Sequence, residues 1–255
     1  MVWDPDQYLQ FDTPRERPAL ELLARVNHPG PTAVVDLGCG PGTVTARLAR
    51  RWPDATITAV DNDEAMLRRA ADLLSGAQLV AADIRTFLPA TPFDVVYSNA
   101  TLHWLDDHDD LFPRLMTWLR PRGVLAVQMP SPDQQPSHLA LLEIASDPAW
   151  ADRLLPRLRR GAVAEPAVYY DLLADLSAKL DIWSVTYQQE LTGNDPVTEW
   201  MRGSALRPLL PELGTEEQSE FLRRYSRAVT AQYPPHGNGI TLLPYSRLFI
   251  VATVA

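Results

Sequence analysis

The chain has 255 residues, of which 46% are hydrophobic and 22% charged, so its length and composition suit one α/β domain with a substantial core. Its formal net charge of −9 argues against nucleic acid as a partner. The N-terminal sequence lacks the features of a signal peptide, and no apolar run approaches the ~20 residues of a membrane span. We therefore expect a cytoplasmic protein without a membrane partner.

The first half of the chain alternates between predicted strands and helices. Short apolar runs predict buried strands at Ala33–Leu37, Thr56–Val60, Gln78–Ala81, Phe93–Ser98 and Gly123–Gln128. Helical periodicity is found at Pro18–Val26, Thr43–Arg50, Glu64–Leu74 and Leu111–Leu119. This alternation predicts a doubly wound, mostly parallel sheet with right-handed crossovers, which is a Rossmann-like α/β fold.

The second half of the chain departs from this rhythm. Two further strands, Asp181–Tyr187 and Tyr245–Ala252, predict a hairpin-like pair at the sheet edge and complete a seven-stranded sheet. Helical sequence lies before and between them, including a helix at Glu216–Ala231. We expect a single domain over 1–255, with its core at about 30–130, 181–187 and 245–252 and a helical cap, inserted before the last strand, at about 1–26, 131–178 and 188–244. Such insertions usually build the substrate pocket.

A glycine-rich turn follows the first strand and leads into a helix. Asp36 comes before glycines at positions 38, 40 and 42, in the pattern D-x-G-x-G-x-G. A dinucleotide site usually has a third glycine where this chain has Thr43. A carboxylate at Asp36 would repel a pyrophosphate but can bind an ammonium group. S-adenosylmethionine, which has an amino-acid end and no phosphate, therefore suits the turn, although a purely structural turn remains an alternative.

Polar residues follow the next three predicted strands. Asp61 comes about 20 residues after the turn, where an acid can bind both ribose hydroxyls. Asp83 can accept the adenine amino group while Ile84 covers a ring face, and Asn99 follows the fourth strand. Each acid alone is also compatible with a helix N-cap or a loop position. The predicted cofactor site comprises Asp36, Gly38, Cys39, Gly40, Asp61, Asn62, Asp83, Ile84 and Asn99.

The turn and its spaced acids resemble the class I S-adenosylmethionine-dependent methyltransferases. Further segments along nearly the whole chain resemble the trans-aconitate 2-methyltransferase family: Trp3–Pro5, Tyr8–Phe11, Arg17–Ala19, Glu21–Val26, Asn99–Leu105, Gly123–Pro130, Leu206–Pro208 and Arg247–Ala252. The chain departs from that family at His103, where members often have glutamine, and over residues 146–161. The resemblance implies methyl transfer to a carboxylate of trans-aconitate or a related di- or tricarboxylic acid, giving a monomethyl ester and S-adenosylhomocysteine.

The implied reaction places particular demands on the substrate site. A carboxylate is already ionised at neutral pH and needs no general base, so the protein has to position and desolvate it. We therefore expect no catalytic residue, with His103 as the candidate if there is one. Arginine suits carboxylates because it binds them in a bidentate manner. The predicted substrate-binding residues are Tyr8, Arg17, His103, Trp104, Tyr170, Arg207 and Arg247.

Other functions remain open from the sequence. They are an O- or N-methyltransferase of another small molecule, a cofactor-binding relative without turnover, and a nicotinamide oxidoreductase, which Asp36 and Thr43 disfavour. No metal site is predicted, because Cys39 is the only cysteine and His103 and His108 lack a matching set of ligands. The sequence does not determine the oligomeric state, and a monomer is compatible with it.

Overall fold

The computed structural model describes residues 16–131, 135–158 and 163–255. The helices are α1 (Arg17–Arg25), α2 (Thr43–Arg51), α3 (Glu64–Leu73), α4 (His108–Thr117), α5 (Pro136–Ala145), α6 (Ala151–Leu154), α7 (Pro166–Leu173), α8 (Pro196–Arg202) and α9 (Thr215–Gln232). Short 3-10 helices lie at Leu102–Trp104, Leu155–Arg157, Ala174–Leu176 and Leu210–Glu212. The strands are β1 (Ala33–Leu37), β2 (Thr56–Asp61), β3 (Gln78–Ala81), β4 (Phe93–Asn99), β5 (Leu119–Pro130), β6 (Lys179–Leu191) and β7 (Thr241–Thr253).

The strands form one seven-stranded sheet in the order β3-β2-β1-β4-β5-β7-β6. Strands β1 to β5 pair in parallel, and β7 pairs with β5 in the antiparallel direction. The predicted mostly parallel, seven-stranded sheet is confirmed, including the adjacent final pair of strands at one edge. Because parallel strands end at the same edge, the residues that follow β1 to β4 are brought together.

The chain divides into two compact units. The first comprises the described residues within Met1–Pro130, Ala162–Ser184 and Arg247–Ala255, and the second those within Ser131–Gly161 and Val185–Ser246. The predicted cap differs from this division at α7. Tyr169 and Leu173 of that helix are fully buried in the core of the first unit, so the helix covers the sheet.

Helix α1 also belongs to the first unit, although the sequence placed it in the cap. The Tyr97 hydroxyl on β4 donates to the Ala19 carbonyl at 2.7 Å. The Arg51 guanidinium at the end of α2 donates to the carbonyls of Leu23 and Val26. The apolar residues of α1 recur at helical spacing because they form one face of the helix, and that face is buried.

The second unit has an apolar core of its own. Phe221, Tyr225 and Val229 lie at four-residue spacing on α9 and are fully buried. They belong to one cluster with Leu141 of α5 and Trp150, whose ring meets Phe221 edge-on at 5.4 Å between centroids. None of the helices in the described part of the chain has the length and apolar composition needed to cross a bilayer.

The helix predicted at Leu111–Leu119 differs at both ends, because it spans His108–Thr117. Leu119 instead begins β5, where it pairs with Phe93. Polar residues follow Leu119, so the apolar pattern did not indicate that the strand begins there. Arg120, the second residue of β5, is held in the strand by an ion pair of its guanidinium with Asp94 at 3.0 Å.

Candidate functional site

A cavity of about 320 Å³ lies beyond the carboxyl ends of the parallel strands of the first unit. The predicted cofactor residues on its wall are Gly38, Asp61, Asn62, Asp83 and Ile84. The wall also contains Trp104, predicted to bind substrate, and residues that sequence reasoning missed, namely Ala82, Ala100, Thr101 and Leu105. The structure thus brings the ends of separate strands together, as the strand spacing predicted.

The glycine turn leaves the backbone at Gly40 open to a ligand. At Gly38, where φ is 74°, an added Cβ would clash with the side chain of Thr101. At Gly40, where φ is 54°, an added Cβ would meet no atom within 4 Å and would project into open space. The N–H groups of Gly38 and Cys39 donate to the Val60 carbonyl and fasten the turn to β2. A molecule can therefore approach the main chain closely.

The carboxylate of Asp61 is oriented by two main-chain donors. Its Oδ2 accepts from the Gly40 N–H at 2.8 Å and its Oδ1 from the Asp63 N–H at 2.9 Å. Each oxygen retains a lone pair that can accept from a ribose hydroxyl. Asn62 is exposed on the cavity wall, whereas Asp63 caps α3 by accepting from the Ala65 and Met66 N–H groups.

Asp83 shares its carboxylate with a neighbouring arginine. Hydrogen bonds from the side chain and N–H of Arg85 lower the pKa of Asp83 to about 2, so the group is ionised at neutral pH. The guanidinium of Arg114 donates to the Arg85 carbonyl at 2.7 Å and the Ile84 carbonyl at 3.3 Å. These bonds fasten the segment after β3 to α4. The buried Ile84 side chain supplies an apolar surface beside the acid.

Four predicted cofactor residues are not among the cavity-wall residues: Asp36 and Cys39, which lie in the protein interior, and Gly40 and Asn99. Asp36 Oδ2 accepts from the Thr45 hydroxyl at 2.6 Å. Burial raises the pKa of Asp36 to about 7; the Thr45 bond opposes this shift, and the charge of Asp61 adds to it. Burial, with the nearby charge of Asp36, raises the pKa of the Cys39 thiol to about 12, which fits a small packed side chain rather than a nucleophile.

The exit from β4 has an unusual backbone and an unsatisfied polar atom. Ala100 has φ 51°, in the left-handed region, and donates its N–H to the Gln128 carbonyl at 2.9 Å. The Thr101 hydroxyl lies 3.2 Å from the Gly38 carbonyl and 3.1 Å from the Asn99 carbonyl, both of which can accept its proton. The buried Oδ1 of Asn99 accepts no hydrogen bond from any described residue. Ala100 and Thr101 lie in the segment Asn99–Leu105 that resembles the family, but no local pattern assigned them to the site, because their roles depend on contact between β1 and β4.

The substrate-binding candidates near β4 and α7 have different surroundings. Trp104 is 51% exposed on the cavity wall, and its ring centroid lies 4.8 Å from that of the half-buried His103. Tyr170 is 58% exposed on α7, where its neighbour Tyr169 faces the core. Tyr8 lies outside the described residues.

The three candidate arginines occupy separate elements. Arg17 begins α1 and forms an ion pair with Glu21 at 2.8 Å. Arg247 is half-buried on β7, where it pairs with Pro130 of β5. Arg207 is exposed in the second unit, in the turn after α8.

The buried His108 stabilises the first residue of the short 3-10 helix Leu102–Trp104. The ring nitrogens of His108 lie 2.7 Å from the Tyr169 hydroxyl and 3.0 Å from the Leu102 carbonyl. A carbonyl only accepts, so Nε2 carries the proton and Nδ1 accepts from Tyr169 when the ring is neutral. His108 is thus a packing residue. Within the described ranges, no group of three or more His, Cys, Asp or Glu side chains is arranged to hold a metal ion.

Comparisons with known proteins agree with this geometry. A family model described as a methyltransferase domain matches residues 34–123, which include the glycine turn and the polar ends of β2 to β4. The trans-aconitate 2-methyltransferase of Escherichia coli is 43% identical over 250 residues, covering 98% of this chain and 97% of the relative. A protein of the same name from Shigella flexneri has the same identity and coverage.

Solved structures show the same fold at low sequence identity. A Bacillus halodurans protein assigned as a methyltransferase gives a TM-score of 0.59 at 15% identity, over 92% of this chain and 97% of that one. Phosphoethanolamine N-methyltransferase 2 of Haemonchus contortus, solved with S-adenosyl-L-methionine, gives 0.56 at 14% identity, over 93% of this chain and 52% of that one. Since the 43% identity extends through both units, the chain belongs to the trans-aconitate 2-methyltransferase family of S-adenosylmethionine-dependent enzymes.

Proposed function

We propose that this protein transfers the methyl group of S-adenosylmethionine to a carboxylate of trans-aconitate or a closely related di- or tricarboxylic acid. The products are a monomethyl ester and S-adenosylhomocysteine. The observation that carries the proposal is the 43% identity over 98% of the chain, because it includes the second unit as well as the cofactor-binding half. The fold by itself would support only methyl transfer.

The cavity wall suits the cofactor. S-adenosylmethionine supplies an electrophilic methyl group on a sulfonium. In this proposal Asp61 accepts from the ribose hydroxyls, and Asp83 with Ile84 holds the adenine. The open backbone at Gly40 and the buried oxygen of Asn99 lie towards the amino-acid end. The pKa of the buried Asp36 is raised to about 7, and a nearby ammonium group would favour its ionised form.

The polar groups of the cavity also suit a reaction that moves no proton. A carboxylate acceptor is ionised at neutral pH, so it needs no general base. The described cavity wall contains no histidine, cysteine or lysine. Its acids accept hydrogen bonds, Asp61 from main-chain donors and Asp83 from Arg85. The protein then contributes orientation and exclusion of water.

The formal net charge of the protein is −9, so an acid with several carboxylates would be repelled unless its binding site contains positively charged side chains. We propose that Arg17, Arg207 and Arg247 supply it, with Tyr8, His103, Trp104 and Tyr170 as further contacts. Arginine holds a carboxylate through two parallel hydrogen bonds, which also fixes the orientation of the acid. A protonated His103 would add to this charge.

A substrate panel tests the function. Release of S-adenosylhomocysteine would be followed with trans-aconitate, other di- and tricarboxylates, and small alcohols and amines. We expect the highest kcat/KM with trans-aconitate and a product that mild base hydrolyses back to the acid. Binding of the cofactor without turnover of any carboxylic acid would refute the proposal. Turnover restricted to an alcohol or an amine would favour the alternative, an O- or N-methyltransferase of another small molecule.

A further inference from the structure

Gln128 is a buried amide near the end of β5 whose donor is unused. The residue is 1% exposed, and its Nε2 has no hydrogen-bond partner among the residues that the structure describes. Buried N–H donors in native proteins are almost always paired, because an unpaired one has lost its hydration without replacement. The position of Gln128 therefore calls for an explanation.

A second unsatisfied amide lies beside it. Asn99 on β4 is the Cα partner of Gln128 in the parallel ladder, so the two side chains project from the same face of the sheet. The buried atoms without partners are an acceptor on Asn99 and a donor on Gln128. Both residues lie at the carboxyl ends of parallel strands, where α/β sheets bind ligands, behind the residues that line the cavity of about 320 Å³ and not on its wall. A donor and an acceptor together indicate a site for a polar ligand.

The strand order assigns different parts of the ligand to these two residues. Strands β3, β2 and β1 contribute Asp83, Asp61 and the glycine turn, which suit adenine, ribose and the amino-acid end in that order. Neighbouring strands are about 4.8 Å apart, so each step along the sheet advances by roughly one such group. Asn99 on β4 continues this series, and Gln128 on β5 lies one strand further. An acceptor molecule that extends past the sulfonium along the sheet would therefore lie nearest the end of β5, where Gln128 is found.

A cationic residue lies on the same face next to Gln128. In the antiparallel ladder, Gln128 pairs with Phe249 and Pro130 pairs with Arg247. Residues two apart on a strand share a face, so the half-buried Arg247 follows Gln128 towards the end of β5. A neutral donor beside a cation suits an acid that has more than one carboxylate.

We propose that Gln128 is a substrate-binding residue whose Nε2 donates to the accepting carboxylate of the acid. This inference rests on the proposed function. The hydrogen bond holds one carboxylate oxygen, and a lone pair on the other forms the bond to the methyl carbon. The carbon–sulfur electron pair returns to sulfur, so an anion and a sulfonium become a neutral ester and a neutral thioether, and no proton moves.

A neutral donor is better suited than arginine to this carboxylate. Its negative charge disappears in the transition state, so an ion pair would stabilise the bound acid more than the transition state and would slow the reaction. An amide N–H orients the oxygen with a weaker preference for the charged form. In this arrangement Arg247 binds a different carboxylate of the acid, which keeps its charge through the reaction.

The test replaces Gln128 with methionine, which has a similar length and no donor. For Gln128→Met we expect kcat/KM for trans-aconitate to fall by ~10- to 100-fold, the range for a lost hydrogen bond to a charged group. Calorimetry should show unchanged affinity for S-adenosylhomocysteine. Gln128→Glu should lose more activity, since its carboxylate repels the acid.

Thermal unfolding supplies a matched control. The Nε2 of the buried Gln135 donates to the Ser246 hydroxyl at 3.1 Å, so Gln135→Met removes a bond that is made. We expect Gln135→Met to lower Tm and Gln128→Met to keep or raise it, because the latter removes an unpaired donor.

The outcomes separate the two proposals. An active parent enzyme with unchanged kcat/KM in Gln128→Met would overturn the role of Gln128 and leave the proposed function standing. A lowered Tm together with weaker cofactor binding would make Gln128 a structural residue. A parent that methylates no carboxylic acid would refute the proposed function and, with it, the assignment of Gln128.

Discussion

The buried carboxyl of Asp36 should make the stability of the protein depend on pH in a way that Asp36→Asn removes. Asp36 is 2% exposed, and its Oδ2 accepts from Thr45. Asparagine has nearly the same shape and keeps an oxygen for that hydroxyl, but it cannot ionise. The comparison therefore isolates the free energy of burying the charge.

The size of the effect follows from the pKa of Asp36, which is raised from 3.8 to about 7. This difference corresponds to about 4 kcal/mol in total. Between these two values, the folded protein holds a proton that the unfolded chain has released, so the free energy of unfolding falls as pH rises. The contribution is fully present below pH 3.8 and is lost as pH passes about 7. From pH 5 to pH 8 the loss is about 2 to 3 kcal/mol.

Urea unfolding at pH 5 and pH 8 measures the difference between Asp36→Asn and the parent. We expect the variant to gain about 2 to 3 kcal/mol relative to the parent between these pH values. Thr45→Val should extend the loss in the parent background to higher pH, because the Thr45 bond opposes the raised pKa of Asp36. A difference between variant and parent that does not change with pH would refute the reasoning.

Three further changes test the cofactor site, the packing beneath it and the substrate site. Asp61→Ala should weaken binding of S-adenosylmethionine by ~100-fold or more, because two hydrogen bonds to a charged group are lost, and it should have little effect on binding of the acid. Equal cofactor affinity of variant and parent in calorimetry would mean that Asp61 does not bind the ribose. Tyr169→Phe should lower the free energy of unfolding in urea by about 1 kcal/mol and speed amide exchange at residues 102–105, which include the short 3-10 helix. Unchanged exchange would mean that His108 does not stabilise that helix. Arg207→Ala should raise KM for trans-aconitate with little change in kcat, and unchanged kinetics would mean that this exposed arginine does not contact the acid.

Much of the fold could be predicted because local patterns and tertiary structure agree in the first half of the chain. The apolar strands are bounded by glycine, proline and polar residues, and β1 to β4 begin and end within a residue of their predicted limits. The acids at positions 61 and 83 were predicted to face a ligand because parallel strands end at one edge. Both lie on the cavity wall.

Other features depend on contacts that no local pattern reveals. The sequence of α7 is compatible with a cap, and only the packing of Tyr169 against Phe112 and His108 places the helix in the core of the first unit. The hydroxyl that donates to the buried carboxyl of Asp36 belongs to Thr45, nine residues away in α2, and no local pattern indicates that bond. Gln128 has an ordinary strand position in the sequence, and its unused donor becomes visible only beside Asn99.

The central claim is that a carboxylate accepts the methyl group of S-adenosylmethionine. Mass spectrometry of the product formed from trans-aconitate and S-adenosylmethionine with a deuterated methyl group tests it most directly. We predict a monomethyl ester that contains all the methyl deuterium and returns to trans-aconitate in mild base. A labelled product that resists base, or no labelled acid while the cofactor binds, would contradict the claim.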